Sequence, residues 1–204
     1  MKKYILDTNV YIEAYKGYYH PDIVPVYWEI LKDLGKKNII SSPKQVREEI
    51  KIQNTPSKDK NGNASEVDRF LFDWSRSNNS CFLKQDLVGI EAFFLQVQRA
   101  YEKVKQVNDG ILRTKDRKYK WGFKTPVSDE DMFVIATVLF YKKHVPANEY
   151  ILVTKEGYDM PPKRYKPMKI PHLCKELDIK WINDFDFIKD VGIKFENSNY
   201  SKNS

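Results

Sequence analysis

The chain has 204 residues, of which 35 are Lys or Arg and 28 are Asp or Glu, so its formal net charge is +7. This length fits one domain, and 13 Tyr, 11 Phe and 4 Trp provide bulky side chains for a core, which excludes a wholly disordered chain. No stretch approaches the roughly 18 apolar residues of a membrane span, and the charged opening segment excludes a signal peptide. We therefore expect a soluble cytoplasmic protein without a membrane partner.

The cysteines and histidines predict no metal site of the zinc type. Cys81 and Cys174 stand far apart, without a CxxC pair or a Cys/His cluster, so we expect two buried thiols rather than a disulfide. His20, His144 and His172 also lack ligand spacing and are expected to be structural or surface residues.

The opening segment predicts a strand that turns into a helix. Residues 4–6 are a short apolar run, and residues 7–9 (DTN) are of the types that begin helices. In residues 22–34 the apolar side chains recur every three or four positions, which predicts an amphipathic helix that stops at Gly35.

A second strand and a further helix follow. Residues 38–41 have the pattern of a short strand, and Ser42 and Pro43 are expected to cap and begin a helix that continues through Ile50. Residues 53–65 have no large apolar side chain and are expected to form a mobile polar loop.

The middle of the chain predicts three helices. Helical spacing of apolar residues covers residues 67–74 and 87–104, and it is lost over residues 108–127. Ser128 and the acids at 129–131 then favour the start of a helix over residues 132–141. Because this helix is apolar nearly all round, we expect it to be central.

Strands are predicted at residues 150–153 and 179–182, with a terminal helix at 185–191 and a disordered tail at 196–204. Alternating strands and helices predict an α/β protein with three layers, in which a parallel central sheet carries helices on both faces. Binding sites in such sheets form beyond the carboxyl ends of the strands.

Four acids occupy suggestive places relative to these elements. Asp7 follows the first strand, Glu49 lies in the helix after the second, Asp131 begins the central helix and Glu156 follows the third strand. Singly, each has an ordinary explanation as a helix cap, a dipole partner or a solvated acid. Together they form the all-oxygen set that holds Mg²⁺ or Mn²⁺ for phosphodiester hydrolysis.

Four segments carry a resemblance to a known family. In chain order they are ILDTNVYIEAY, SPKQVREEI, SDEDMFVIATVLFY and YILVTKE. This chain resembles the PIN-domain (PilT N-terminus-like) nuclease superfamily, and residues 169–174 with 179–183 are similar to an uncharacterised bacterial branch of it. The resemblance implies one PIN-like domain over residues 1–195, with about five parallel strands and a helical, basic insertion near residues 66–125.

The resemblance also assigns the site. Its metal-binding and catalytic acids correspond to Asp7, Glu49, Asp131 and Glu156. Glu49 matches the helix acid better than Glu48, because the following Ile50 keeps the phase of the motif. Asn9 and Asp129 match positions that support the substrate. Many members have Asp after Asn at the fourth position, where this chain has Lys155 followed by Glu156.

The resemblance implies an endoribonuclease that uses Mg²⁺ or Mn²⁺ to cleave single-stranded RNA, with one or two ions left open. It also leaves open a role as the toxin of a toxin–antitoxin pair, an antitoxin partner, a homodimer, and a non-catalytic nucleic-acid-binding or partner-regulated module. A phosphatase of the haloacid-dehalogenase type is disfavoured, because Asn9 stands where that chemistry needs a second Asp.

Two basic segments are the candidate RNA contacts. They interleave cations with aromatic rings, which can bind phosphates and stack on unpaired bases. The equally open alternative is a solvated basic loop whose rings pack on the core. The residues are Lys118, Tyr119, Lys120, Trp121, Lys163 and Arg164.

Overall fold

The computed structural model describes residues 1–53, 69–115, 127–158 and 168–193. The predicted polar loop beyond residue 53, the tail at 196–204 and the six candidate RNA contacts lie outside the described residues. Of the proposed insertion near 66–125, the described part is largely helical.

Within these ranges, four strands and eight α-helices follow one another along the chain. The strands are β1 (Lys2–Leu6), β2 (Ile40–Ser41), β3 (Glu149–Val153) and β4 (Trp181–Ile182). The helices are α1 (Thr8–Lys16), α2 (Pro25–Lys36), α3 (Lys44–Gln53), α4 (Phe70–Ser77), α5 (Ile90–Lys115), α6 (Asp129–His144), α7 (Ile170–Glu176) and α8 (Asp184–Asp190).

The sheet is entirely parallel and has the strand order β2-β1-β3-β4. In its centre, β1 pairs with β3 along its whole length, from Lys2 opposite Glu149 to Leu6 opposite Val153. The predicted α/β class is confirmed, with the helices packed around the sheet. The described residues contain four strands, one fewer than the resemblance implies.

Helix α6 is the buried centre of the helical packing. Ser128 Oγ accepts a hydrogen bond from the Asp131 amide at 3.1 Å, which caps the helix as predicted. Acids at 129–131 and cations at 142–144 lie at the ends that favour them in the helix dipole. The helix packs on β1, β3 and α5, and seven of its eight residues from 132 to 139 are buried, the exception being the half-buried Phe133.

Three details of the predicted pattern are wrong. Gly35 does not stop α2, which continues to Lys36. Ser42 Oγ does not cap α3 but donates to the Leu6 carbonyl at 2.8 Å. Helix α5 runs to Lys115, beyond the point at 108 where its apolar period ends. Two short elements were not predicted: a 3-10 helix at Asn79–Cys81 and α7.

No helix in the described ranges combines the length and the apolar character that crossing a membrane requires.

Gly35 allows α2 to approach the 3-10 helix closely. A Cβ atom at position 35 would lie 2.5 Å from Cys81 Sγ and 3.1 Å from the Cys81 amide nitrogen. We therefore predict that Gly35→Ala lowers the free energy of unfolding by about 1–3 kcal/mol, because overpacking outweighs the gain in helix propensity.

Urea denaturation of the purified variant measures this change. Cys81→Ala removes the sulfur that the new methyl group would strike, so the double variant should be less destabilised than the sum of the two single variants. Additive effects would contradict the steric explanation.

Candidate functional site

Asp7 lies at the centre of the carboxyl edge of the sheet. It follows β1, and its amide donates to the Val153 carbonyl at 3.0 Å, so the pairing with β3 extends one residue past the strand. Its side chain is fully buried, with Oδ2 accepting from Thr154 Oγ1 at 2.9 Å. Its Oδ1 has no hydrogen-bond partner within the described residues. Asp7 does not cap α1 through its side chain, so the ordinary explanation as a helix cap does not hold.

Asp7 carries a strongly shifted pKa. The pKa of Asp7 is raised to about 7, chiefly by burial and also by the nearby charges of Glu156 and Glu49, while the hydrogen bonds with Thr154 and with the Thr8 backbone oppose the rise. A carboxyl group in this environment loses its proton readily only when a cation compensates its charge.

Asp131 belongs to the same electrostatic group. It lies in the first turn of α6, and burial raises its pKa to about 8, followed by the charges of Asp7, Glu156 and Glu49. The fold thus brings all four predicted acids close enough to repel one another. These are acids from four different elements and loops, separated by up to 149 positions in the sequence, from 7 to 156.

The other two acids each have one oxygen bound to a protein donor. Glu49, on α3, accepts from Thr8 Oγ1 through Oε2 at 2.6 Å. Glu156 accepts from the Ile170 amide through Oε2 at 2.7 Å, at the start of α7. Burial raises the pKa of Glu156, while the Ile170 amide and the charges of Lys169 and His172 lower it.

Thr154 and Thr8 support the acids, and the sequence analysis missed both. Thr154 Oγ1 donates to Asp7 and accepts from the Glu156 amide at 3.2 Å, so one buried hydroxyl positions two of the four acids. Thr8 holds Glu49 in the same way. The available signal was position: Thr8 directly follows Asp7 after β1, and Thr154 directly follows β3 two residues before Glu156, where a hydroxyl can reach a carboxylate.

Lys155 is paired with Asp184, a further acid that the sequence analysis missed. Its ammonium lies 3.3 Å from Asp184 Oδ2, and the Asp184 carboxylate at the start of α8 is buried. Lys155, which departs from the pattern of the PIN-domain proteins that this chain resembles, therefore has an anionic partner of its own, Asp184.

Asn9 and Asp129 do not belong to the electrostatic group that the four acids form. Asn9 is half-buried in the first turn of α1 and makes no hydrogen bond to the four acids within the described residues. Asp129 is exposed at the first residue of α6. Their predicted role in substrate support stays a prediction.

Cys174 and His172 lie in the helix next to Glu156. Both cysteines are free and buried, as predicted. Burial, followed by the charges of Glu156 and Asp7, raises the pKa of Cys174, which keeps this thiol protonated beneath the acids. His172 is buried and its ring lies 5.2 Å from the ring of Tyr158.

Of the clefts elsewhere on the described surface, two border the central sheet. One, of about 430 Å³, is lined by residues before and at the start of β3 together with Lys180, at the amino edge of the sheet. The other, of about 280 Å³, follows β1 and β2. Neither is lined by the four acids, so the case for the site at the carboxyl edge comes from its chemistry and not from a deep cavity.

The acids fit a hard divalent cation in part. All are carboxylates, and the buried Asp7 Oδ1 lacks a partner that a cation would provide. However, the described residues contain no group of three or more His, Cys, Asp or Glu side chains arranged to hold an ion as they stand. Mg²⁺ commonly keeps several waters and uses one or two carboxylates, so a site with fewer than three protein ligands is compatible with this ion.

Comparison with known proteins places the chain in a family. Residues 4–195 match the family described as a domain of unknown function, DUF4411. The chain belongs to the DUF4411 family. No curated protein and no solved structure matches it. For this DUF4411 protein, any statement about activity therefore depends on the chemistry of its own residues.

The raised pKa values predict how the metal-free protein responds to pH. The folded-state pKa values of about 7 and about 8 exceed the value near 3.9 expected in the unfolded chain. Between about pH 4 and pH 8 the folded state therefore binds more protons, and the free energy of unfolding falls as pH rises.

We predict that Asp131→Asn stabilises the chelator-treated protein at pH 8 by about 2 kcal/mol or more, since one pKa unit corresponds to about 1.4 kcal/mol. The effect should shrink towards pH 4, where the parent carboxyl group is protonated. Urea denaturation at both values measures it. Asp186→Asn is the matched control, because the exposed Asp186 has the same position relative to the cap of α8 that Asp131 has relative to the cap of α6. Stabilisation independent of pH would contradict the repulsion argument.

Proposed function

We propose that this DUF4411 protein is a divalent-metal-dependent endoribonuclease of the PIN type, acting on single-stranded RNA. The observation that carries the proposal is the buried Asp7 carboxylate, whose Oδ1 has no partner while Asp131, Glu49 and Glu156 add negative charge around it. Uncompensated carboxylates are costly to bury, and a divalent cation is the partner that removes this cost.

Each acid has a role that follows from its surroundings. Asp7 and Asp131 would hold the ion, since Asp7 is fully buried, Asp131 is half-buried beside it, and both have raised pKa values. Thr154 orients Asp7 by its hydrogen bond and fixes the backbone of Glu156. Glu156 has one oxygen on the Ile170 amide, which leaves its second oxygen to contact a water or a substrate hydroxyl, and Glu49 adds negative charge from α3.

When bound, Mg²⁺ or Mn²⁺ would supply Lewis-acid activation of a water molecule and offset the charge of the phosphate. The described carboxylates lie beside no Ser or Cys nucleophile with an adjacent base, which agrees with direct hydrolysis rather than a covalent intermediate. The nearby thiol of Cys174 has a raised pKa and is buried, so it is a poor nucleophile.

RNA rather than DNA rests on the PIN resemblance, and the charge of +7 agrees with a polyanionic substrate. A toxin role, an antitoxin partner and a homodimer stay predictions.

One observation favours a second candidate, a non-catalytic nucleic-acid-binding module. Glu49 and Glu156 are held by protein donors, and the described acids do not form a finished ligand set. Such a module would bind RNA with the same affinity in Mg²⁺ and in chelator and would leave it intact.

We predict that the parent cleaves a labelled single-stranded RNA in Mg²⁺ or Mn²⁺ and is inactive in chelator. Asp7→Asn and Asp131→Asn should each lower the rate at least about a hundredfold, corresponding to about 3 kcal/mol of lost transition-state stabilisation. Gel analysis of the products measures cleavage, and Asp186→Asn, prepared in parallel, should keep the parent rate.

A second readout is independent of catalysis. Mg²⁺ or Mn²⁺ should raise the melting temperature of the parent, because an ion that binds only the folded state stabilises it. Asp131→Asn should lose most of this increase.

Equal cleavage by Asp131→Asn and the parent would contradict the assigned site.

A further inference from the structure

Two exposed aromatic side chains lie at the same edge of the sheet as the four acids. Phe185 follows Asp184, whose carboxylate pairs with Lys155 at 3.3 Å, and Lys155 is the chain neighbour of Glu156. The ring of Tyr18 contacts the ring of Phe185, with centroids 6.1 Å apart. A short series of contacts therefore connects the Tyr18–Phe185 pair to the acids.

This pair is unusually exposed for its residue types. Tyr18 is 74% exposed and Phe185 is 47% exposed, although both stand beside a buried core. The rings are tilted by 57°, and they are too close and too steeply inclined to hold a third ring between them. Their outer faces remain available to a flat partner.

The backbone under Tyr18 is held firmly. The neighbouring Tyr19 is buried and stacks on Tyr27 at 4.4 Å. Its amide donates to the Ala14 carbonyl at 3.1 Å, and its carbonyl accepts from Trp28 Nε1 at 2.7 Å. Burial, followed by the charge of Asp184, raises the pKa of Tyr19, which agrees with the position of the Tyr18–Phe185 contact near the start of α8. Tyr18 is therefore presented from an ordered position.

We propose that the Tyr18–Phe185 pair is a stacking platform for an unpaired base of single-stranded RNA whose backbone reaches the four acids. This inference rests on the proposed nuclease function and adds the place where the substrate lies. Stacking needs a flat aromatic face and no particular base, so the platform would be tolerant of sequence. The exposed Lys16, two residues before Tyr18, adds a cation for a neighbouring phosphate.

The rival occupant is a protein surface. Ile23, between α1 and α2, and Val26, in the first turn of α2, are 74% and 47% exposed and would extend an apolar contact. Stacking on a base depends on aromatic rings alone, whereas a protein contact would use the aliphatic side chains as well. Ile23→Ala is therefore the matched control for Tyr18→Ala.

The test measures binding of a fluorescent single-stranded RNA by anisotropy, with every variant in the full-length Asp131→Asn background and with Mg²⁺ present. We expect Tyr18→Ala and Phe185→Ala each to weaken binding about tenfold. Tyr18→Trp should keep the affinity, and Ile23→Ala should leave it unchanged. The slope of affinity against salt should stay the same for Tyr18→Ala, because no phosphate contact is lost.

An RNA series with a single abasic position gives a second readout. Moving the abasic position along the strand should identify one position at which loss of the base weakens RNA binding about tenfold. In Tyr18→Ala an abasic site at that position should not weaken binding further, since the base has already lost its ring partner.

Three results would overturn the platform. Tyr18→Ala and Phe185→Ala could bind like their background while the parent still cleaves RNA, which would leave the proposed nuclease intact. Equal losses in Tyr18→Ala and Ile23→Ala, with a change of oligomeric state in light scattering, would identify a protein contact instead. Absence of both binding and cleavage by the parent would overturn the nuclease proposal and the platform together.

Discussion

The hydrogen bond from Thr154 to Asp7 joins the carboxyl ends of the two central strands, and the rest of the site depends on it. It fixes one oxygen of a fully buried carboxylate and leaves the other without a partner. Because the same hydroxyl accepts from the Glu156 amide, it also determines where the loop after β3 begins. A single side chain thereby couples strand pairing to the placement of two acids.

This arrangement of buried acids opposes stability. Burial alone raises the pKa values of Asp7 and Asp131, and their neighbours add to the effect. A fold optimised only for stability would replace such acids by neutral side chains, since each unpaired buried charge is unfavourable. The core around them, with the middle of α6 buried between the sheet and α5, supplies the apolar burial that offsets the cost.

Strong local patterns made most of the fold predictable. The alternation of short apolar runs and amphipathic segments predicted the parallel sheet, and Ser128 with its acids marked the start of α6. Gly35 was misread because its role depends on Cys81, which is 46 positions away and invisible to local rules. Ser42 was misread for the same reason, since its hydroxyl bonds to Leu6 on the neighbouring strand. The four acids could be grouped from their places relative to the predicted strands and helices. Thr154, Thr8 and Asp184 act through contacts that only the folded chain defines.

The pairing of β1 with β3 determines when this edge can assemble during translation. Asp7 and Thr154 are 147 positions apart, so an amino-terminal fragment that ends before Thr154 cannot assemble the edge. An emerging chain carries Asp7 without the residues that bury and orient it until Thr154 and its neighbours have been synthesised. The topology thus makes the assembly of this edge a late event relative to the synthesis of β1.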